Sequence, residues 1–490
     1  MNEEKERDVA PLILENFSAQ ERAAGPDRPN GAPPEQKRPP AGNTAAEPVC
    51  PPQEDMPSAP VPEAPSPREP EADKPGPAPA PAAEPARPLP DTDVLERTAS
   101  LWKYRPVPDT EPEPSPECRR AEDEYPGGRI IAAQVRGKKH KHEGTNCDDW
   151  FETACFEDAT FIAVSDGAGS KRFSRIGAKA ACKAAAGYLV RAFSAALAGN
   201  PGLREDLRLP MENSKCAEAC AALAQMVQQA VVKAYEAVEA AYYSRVTDPA
   251  FRAVLNRSLE LKDLSGTLLI AMVVPVEAGA KEHFIVTCQV GDGMIATVNT
   301  AGPFDGSLKL MGEPDSGDYS GETDFLTSPK MRRIETLQTR TKVSRGAFDL
   351  VMVMSDGVAD DYFPNGTALR QLYLDLAANG ILDAGGPEVD LNSLDQRQLR
   401  LFKRMPDPAA YPWVNDQSVR LPLHYTDRIC KELSLTLEDV WNDPLALQFA
   451  RKDMCARMKS ASPGERLELW LDHYVRRGSF DDRTLVLAIL

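Results

Sequence analysis

The sequence predicts an α+β domain of two mainly antiparallel sheets flanked by helices, behind a disordered N-terminal tail. Three observations carry this expectation. Seven short apolar runs read as strands, two long stretches between them read as helices, and most of the 44 prolines of the 490-residue chain crowd its front. The strands do not alternate one for one with helices, as a doubly wound fold would require, so the helices are expected to cover the outer faces of the sheets.

The tail comes first. From Met1 to about Tyr125 the chain is dominated by Pro, Ala, Glu and Asp, most densely in SAPVPEAPSPREPEADKPGPAPAPAAEPARPLPD at 58–91. Too few large apolar side chains stand here to offset the entropy of ordering, so residues 1–125 read as disordered with polyproline II character. Their PxxP-like spacing suits a partner with an aromatic-lined groove, but without aromatics or a repeated motif the tail reads as a semi-rigid spacer. The start, MNEEKERDVAPLILENFSAQ, lacks a basic stretch followed by an apolar core, and no apolar run approaches about 18 residues, so neither a signal peptide nor a membrane span is expected. The expected location is the cytoplasm.

Charge narrows the function classes. There are 57 basic and 74 acidic residues, a formal net charge of -17, which disfavours nucleic acid and membrane partners and suits the recruitment of cations. Ten cysteines form no CxxC pair. Cys216 and Cys220, one helical turn apart, read as small buried residues rather than zinc ligands or a disulfide.

From about Gly128 the texture changes. The strand candidates are IIAAQV (130–135), FIAVSD (161–166), TLLIAMVV (267–274), HFIVTCQV (283–290), MIATV (294–298), DLVMVMSD (349–356) and RTLVLAIL (483–490). Most are continuous apolar runs, which fits strands covered on both faces. Alanine-rich Ser174 to Ala198 reads as one helix. A second is expected from about Ser214 to Arg245, where Leu223, Met226, Val227, Ala230, Val231, Ala234, Tyr235 and Val238 make one apolar stripe. The stretch 361–479 reads as a mostly helical insertion between the last two strands, with a substrate flap as its expected role.

Three strand ends share a pattern. FIAVSD ends at Asp166-Gly167, DLVMVMSD ends at Asp356-Gly357, and SFDD brings Asp481 and Asp482 to the start of the final strand. Cys147-Asp148-Asp149-Trp150 precedes FIAVSD by one short hairpin, and Gly291-Asp292-Gly293 joins two strands. Any one of these alone is ordinary turn chemistry. Together, each flanked by an apolar strand, they predict carboxylates converging on one rim of a sheet pair.

Like charges gathered there raise one another's pKa unless a cation neutralises them. Mg2+ and Mn2+ favour all-oxygen ligand sets, and no histidine or thiolate is evidently placed for zinc. Two such ions, about 3.5 to 4 Å apart, activate a water and neutralise a phosphoryl group. The implied chemistry is metal-assisted hydrolysis of a phosphate ester, and Gly167, lacking a side chain, lets its carbonyl approach an ion.

With HKHEGTNCDDW, FIAVSDGAGSKRFSRIGA, the SGT at 265–267, QVGDGM, VMVMSDGVADDY and SFDDRTLVLAIL in view, residues 128–490 resemble the metal-dependent serine/threonine protein phosphatases of type 2C, in their bacterial branch. The resemblance implies a four-layer alpha-beta-beta-alpha sandwich holding two or three Mn2+ or Mg2+ ions. It implies that Asp166 bridges two ions, that the Gly167 carbonyl binds one, and that Asp356 and Asp481 complete the other's shell, making Asp166, Asp356 and Asp481 the catalytic set. Asp149 joins the metal ligands, with Asp148 acting through water, and Asp292, with Asp360, matches the site of a third ion.

There are departures from the family pattern. Asp148 stands where Glu or Gln is usual. Ala168 occupies the position where many members carry a histidine acting as general acid. The phosphate-binding arginine is not plainly present, and His140, Lys138 and Arg136 are the candidates by charge and position, although a histidine among lysines also fits a solvated loop. The expected function is hydrolysis of phosphoserine and phosphothreonine in proteins by a metal-bridging hydroxide, opposing a serine/threonine kinase. The alternative is a catalytically silent phosphoprotein-binding or scaffold protein on the same fold.

Overall fold

Every long apolar strand of this protein has two faces to bury, and that requirement sets its layers. The computed structural model describes residues 103–313, 324–362, 366–383, 426, 430, 434–442, 447, 460–473 and 480–490. One six-stranded sheet has the order β1-β2-β11-β10-β7-β8, built from Cys118–Tyr125, Gly128–Val135, Arg483–Ile489, Leu350–Met354, Met294–Val298 and Leu308–Leu310. The second, five-stranded, has the order β3-β4-β5-β6-β9, from Trp150–Phe156, Ala159–Ser165, Leu268–Pro275, Glu282–Val290 and Thr341–Ala347. Every described pairing is antiparallel.

Ten helices are described: α1 Lys138–Glu143, α2 Ser174–Gly199, α3 Leu203–Arg208, α4 Ser214–Tyr243, α5 Pro249–Leu255, α6 Ile334–Gln338, α7 Asp356–Tyr362, α8 Gly366–Ala378, α9 Leu437–Asn442 and α10 Pro463–His473. Alternate residues of each strand serve different cores, because successive side chains point to opposite faces. Ile162 and Val164 of β4, Val351 and Val353 of β10 and Val486 and Ala488 of β11 meet between the sheets. Phe161 and Ala163 turn outward to a core shared with α2 and α4. Met352, Met354, Leu485 and Leu487 turn outward to a core shared with α7, α8 and α10. The result is the four-layer sandwich, and the α4 stripe is core as expected, Met226 lying partly buried against it. Cys216 and Cys220 are buried thiols on α4. No helix among the described residues is long and apolar enough to cross a membrane.

The strands that apolar runs do not mark are β1, β3, β8 and β9, the four sheet edges. Edge strands bury less and carry charge; β1, CRRAEDEY, is exposed or half-buried throughout. It lies inside the segment assigned to the tail, so the boundary at 125 is corrected. Order extends back at least to residue 103, where Glu111 is buried and pairs with Arg175 at 3.0 Å. Residues 1–102 lie outside the described residues, as does most of 361–479; the longer described stretches of that insertion, in α8, α9 and α10, are helical.

Candidate metal centre

Strand register delivers the carboxylates to one rim. The start of β3 pairs with the end of β4 (Trp150 with Ser165), the start of β5 with the end of β6 (Leu268 with Val290), and the end of β10 with the starts of β7 and β11 (Met354 with Met294 and Leu485). Asp149, Asp166, Asp292, Asp356 and Asp481 are attached to these ends. β6 and β7 belong to different sheets, and Gly291 and Gly293, at φ +96 and +87, make the crossover that carries Asp292.

Asp166 is fixed by its backbone. Its amide donates to Thr267 Oγ1 at 2.9 Å, its carbonyl accepts from the Thr267 amide at 2.8 Å, and Gly167 bridges Gly266. Gly167 has a packing reason beyond the approach of an ion: a Cβ there would sit 2.5 Å from the Asp148 carbonyl. Asp149 joins the two sheets. Its Oδ2 accepts from Ser355 Oγ at 2.8 Å and from Thr484 Oγ1 at 2.6 Å, while Oδ1 is buried without a donor. Asp148 Oδ1 is likewise buried and unsatisfied.

Asp166, Asp292 and Asp356 each present an oxygen within 4.8 Å of the others. Two ligands on opposite sides of a Mg2+ ion stand about 4.2 Å apart, so this spacing is close to that of one ligand shell. The electrostatics agree. Burial, then Asp356 and Asp149, push the Asp166 carboxyl well up, and burial, then Asp149 and Asp292, do the same to Asp356. Asp148 and Asp149 are both raised to about 7 by burial and by Asp482. Asp360 is raised by burial, Asp292 and Asp481, so it too faces the cluster. All-oxygen donors, orphaned carboxylate oxygens and mutual repulsion fit hard divalent cations.

A second group lies beside the first. His140 Nδ1 is 2.9 Å from Asp482 Oδ2, and its Nε2 is 3.6 Å from Asp481 Oδ1. His140 is not a solvated loop residue: it is buried on α1. Burial opposes its charging, but the Asp482 carboxylate and its hydrogen bond outweigh this and raise the pKa to about 9. Asp482, to which sequence reasoning gave no role, also accepts from the amides of Gly137 at 2.6 Å and Asp148 at 2.5 Å. It thereby ties α1, the Asp148-Asp149 loop and β11 together.

The remaining phosphate candidates are Arg136 and Lys138. Arg136 is buried, bonded to Glu117 Oε1 at 2.7 Å and to the carbonyls of Arg105 and His140 at 2.9 Å each, so both terminal nitrogens of its guanidinium are engaged inside the fold. Lys138 is lowered to about 8 by burial and by Arg483, with Asp472 as its acidic neighbour. The structure places Arg175 nearer the site, where its charge acts on Asp148. No sequence signal separates Arg175 from other arginines, because its position depends on α2 docking beside β3.

No curated protein matches the chain. Among solved structures, RsbX in complex with magnesium has 11% identity over 76% of this chain and 100% of its own, at a TM-score of 0.29. Serine/threonine phosphatase Stp1 from Staphylococcus aureus has 10% identity over 79% and 98%, at 0.30. Serine-threonine phosphatase 2C from Toxoplasma gondii has 14% identity over 76% and 99%, at 0.33. The family model Protein phosphatase 2C matches residues 136–380, half of the chain and the part that carries Asp149, Asp166, Asp292 and Asp356, and the chain therefore belongs to the Protein phosphatase 2C family.

Proposed function

We propose that this protein hydrolyses phosphoserine and phosphothreonine in proteins at the carboxylate rim. The observation that carries this reading is the meeting of Asp166, Asp292 and Asp356 within 4.8 Å, from three separate turns. Bound there, two or three Mn2+ or Mg2+ ions would neutralise phosphoryl oxygens and activate a water for in-line attack on phosphorus.

The chain's residues have distinct tasks. Asp166, Asp356 and Asp481 are the principal catalytic ligands, with the Gly167 carbonyl beside them. Asp149 is held by Ser355 and Thr484 so that Oδ1 remains available, Asp292 meets Asp166 and Asp356 as a further ligand, and Asp148 and Asp360 supply outer ligands. Ala168 holds no proton, so protonation of the leaving oxygen falls to water at the rim. His140 and Asp482 orient the loop that presents Asp148 and Asp149. The substrate is a phosphorylated protein, which implies an opposing kinase, and the tail acts as a spacer.

Release of phosphate from a phosphothreonine peptide, with Mn2+ and with EDTA, tests this beside Asp166→Asn. Turnover that needs Mn2+ and vanishes in a folded variant is expected. No turnover from folded protein supplied with Mn2+ would favour the silent phosphoprotein-binding reading, which draws on Ala168 and on the inward commitment of Arg136.

A further inference from the structure

Beside the rim lies a cavity of about 410 Å³. One wall is the first half of α2, with Arg175, Lys179 and Lys183; another is the end of α4 with Arg245 beyond it; Trp150 and the segment 113–116 complete it. Four cations line it against one carboxylate, Glu113.

The cations differ in what occupies them. Arg175 is bonded to Glu111 and to the carbonyls of Pro112, Glu113 and Arg172, and Arg245 pairs with Glu113 at 2.5 Å. Lys179 and Lys183 have no carboxylate partner among the described residues. Lys179 Nζ instead lies 4.8 Å from the centroid of the Trp150 ring. Four residues apart on a helix, the two lysines share one face, and that face lines the cavity. Both are exposed to solvent.

Position gives the cavity its meaning. Trp150 directly follows Asp149, and Arg175 acts electrostatically on Asp148. An extended peptide advances about 3.3 Å per residue, so residues a few places from one bound at the rim fall within reach. Pro114 and Pro116 have no backbone N–H, so this wall favours capture of side chains over strand pairing. We propose that the cavity is a subsite for acidic side chains flanking the phosphorylated residue of a peptide substrate, with Lys179 and Lys183 as its specificity-determining cations. This rests on the rim being a phosphatase centre.

The test uses the full chain with Mn2+ and two phosphothreonine peptides, one with Asp at positions two to five on both sides and one with Ala there. The acidic peptide is expected to have a kcat/KM about five- to ten-fold higher, mainly through KM, the scale of two partly exposed charge pairs. Lys179→Ala with Lys183→Ala should bring the ratio to about one. Hydrolysis of p-nitrophenyl phosphate, which has no flanks, normalises each protein. Equal kcat/KM for the two peptides in the native protein, or a ratio that survives in the variant, would overturn the subsite. If no substrate turns over, the phosphatase reading fails separately. Calorimetric titration of the same peptides then decides the cavity: tighter binding of the acidic peptide, lost in the variant, supports it, and equal binding refutes it.

Discussion

The Asp482 carboxylate accepts a hydrogen bond from His140 Nδ1 at 2.9 Å, joining the start of the last strand to a helix more than three hundred residues earlier in the chain. Both side chains are buried. With two backbone amides on the same carboxylate, removing it would leave the buried His140 Nδ1 and two amide donors without their acceptor. Asp482→Ala is expected to lower the unfolding free energy by about 3 kcal/mol, read by chemical denaturation. In a cycle with His140→Ala the pair should show a coupling of about 1 kcal/mol or more. Additive effects would remove the pair from this account.

Asp166→Asn removes one charge from a group that repels itself. Peptide dephosphorylation should fall by a factor on the order of 10³, the scale on which losing one electrostatic partner of a transition state registers. In EDTA the variant should melt at a higher temperature than the parent, because Asp166 is held well above its usual pKa by burial, Asp356 and Asp149. A lower melting temperature in EDTA would show that the carboxylate is structurally required.

Stability should respond to pH and metal together. Asp148 and Asp149 are raised from 3.8 to about 7, so between those values the folded chain holds more protons than the unfolded one, and stability falls as pH rises across that window. The pair to His140 extends this fall to higher pH: its contribution is full below 6.5 and is lost as pH rises through about 9. Scanning fluorimetry in EDTA should therefore show the melting temperature dropping from pH 5 to 7.5, with Mn2+ reducing the drop. Parallel curves with and without Mn2+ would count against a cation site at these carboxylates.

Glu111→Ala leaves buried Arg175 without its carboxylate, at an expected cost of about 3 kcal/mol by urea denaturation. Arg136→Ala should cost a similar amount and leave KM for p-nitrophenyl phosphate unchanged, because its guanidinium is bonded to Glu117 and to two carbonyls. A large rise in KM would restore Arg136 as a phosphate ligand.

Gly357 lies against the Asp482 backbone, where a Cβ would collide with the carbonyl. Gly357→Ala is expected to destabilise by about 2 kcal/mol through overpacking. An unchanged denaturation midpoint would show that the β10–α7 turn has room to relax.

The sequence by itself determined the central strands, the two long helices and the carboxylates at strand ends, because burial on two faces writes continuous apolar runs and Asp-Gly turns punctuate them. Edge strands escaped it: β1 buries none of its residues, so its charged sequence reads as tail, and β9 mixes polar with apolar residues and shows no apolar run. The tertiary structure alone decided which carboxylates meet and what each cation does. Antiparallel register brings Asp292 to Asp166, more than a hundred residues earlier, and to Asp356, more than sixty residues later. The same closure buries His140 against Asp482 and turns Arg136 inward. Such roles depend on distances between segments remote in the chain, and local patterns of polarity carry no record of them.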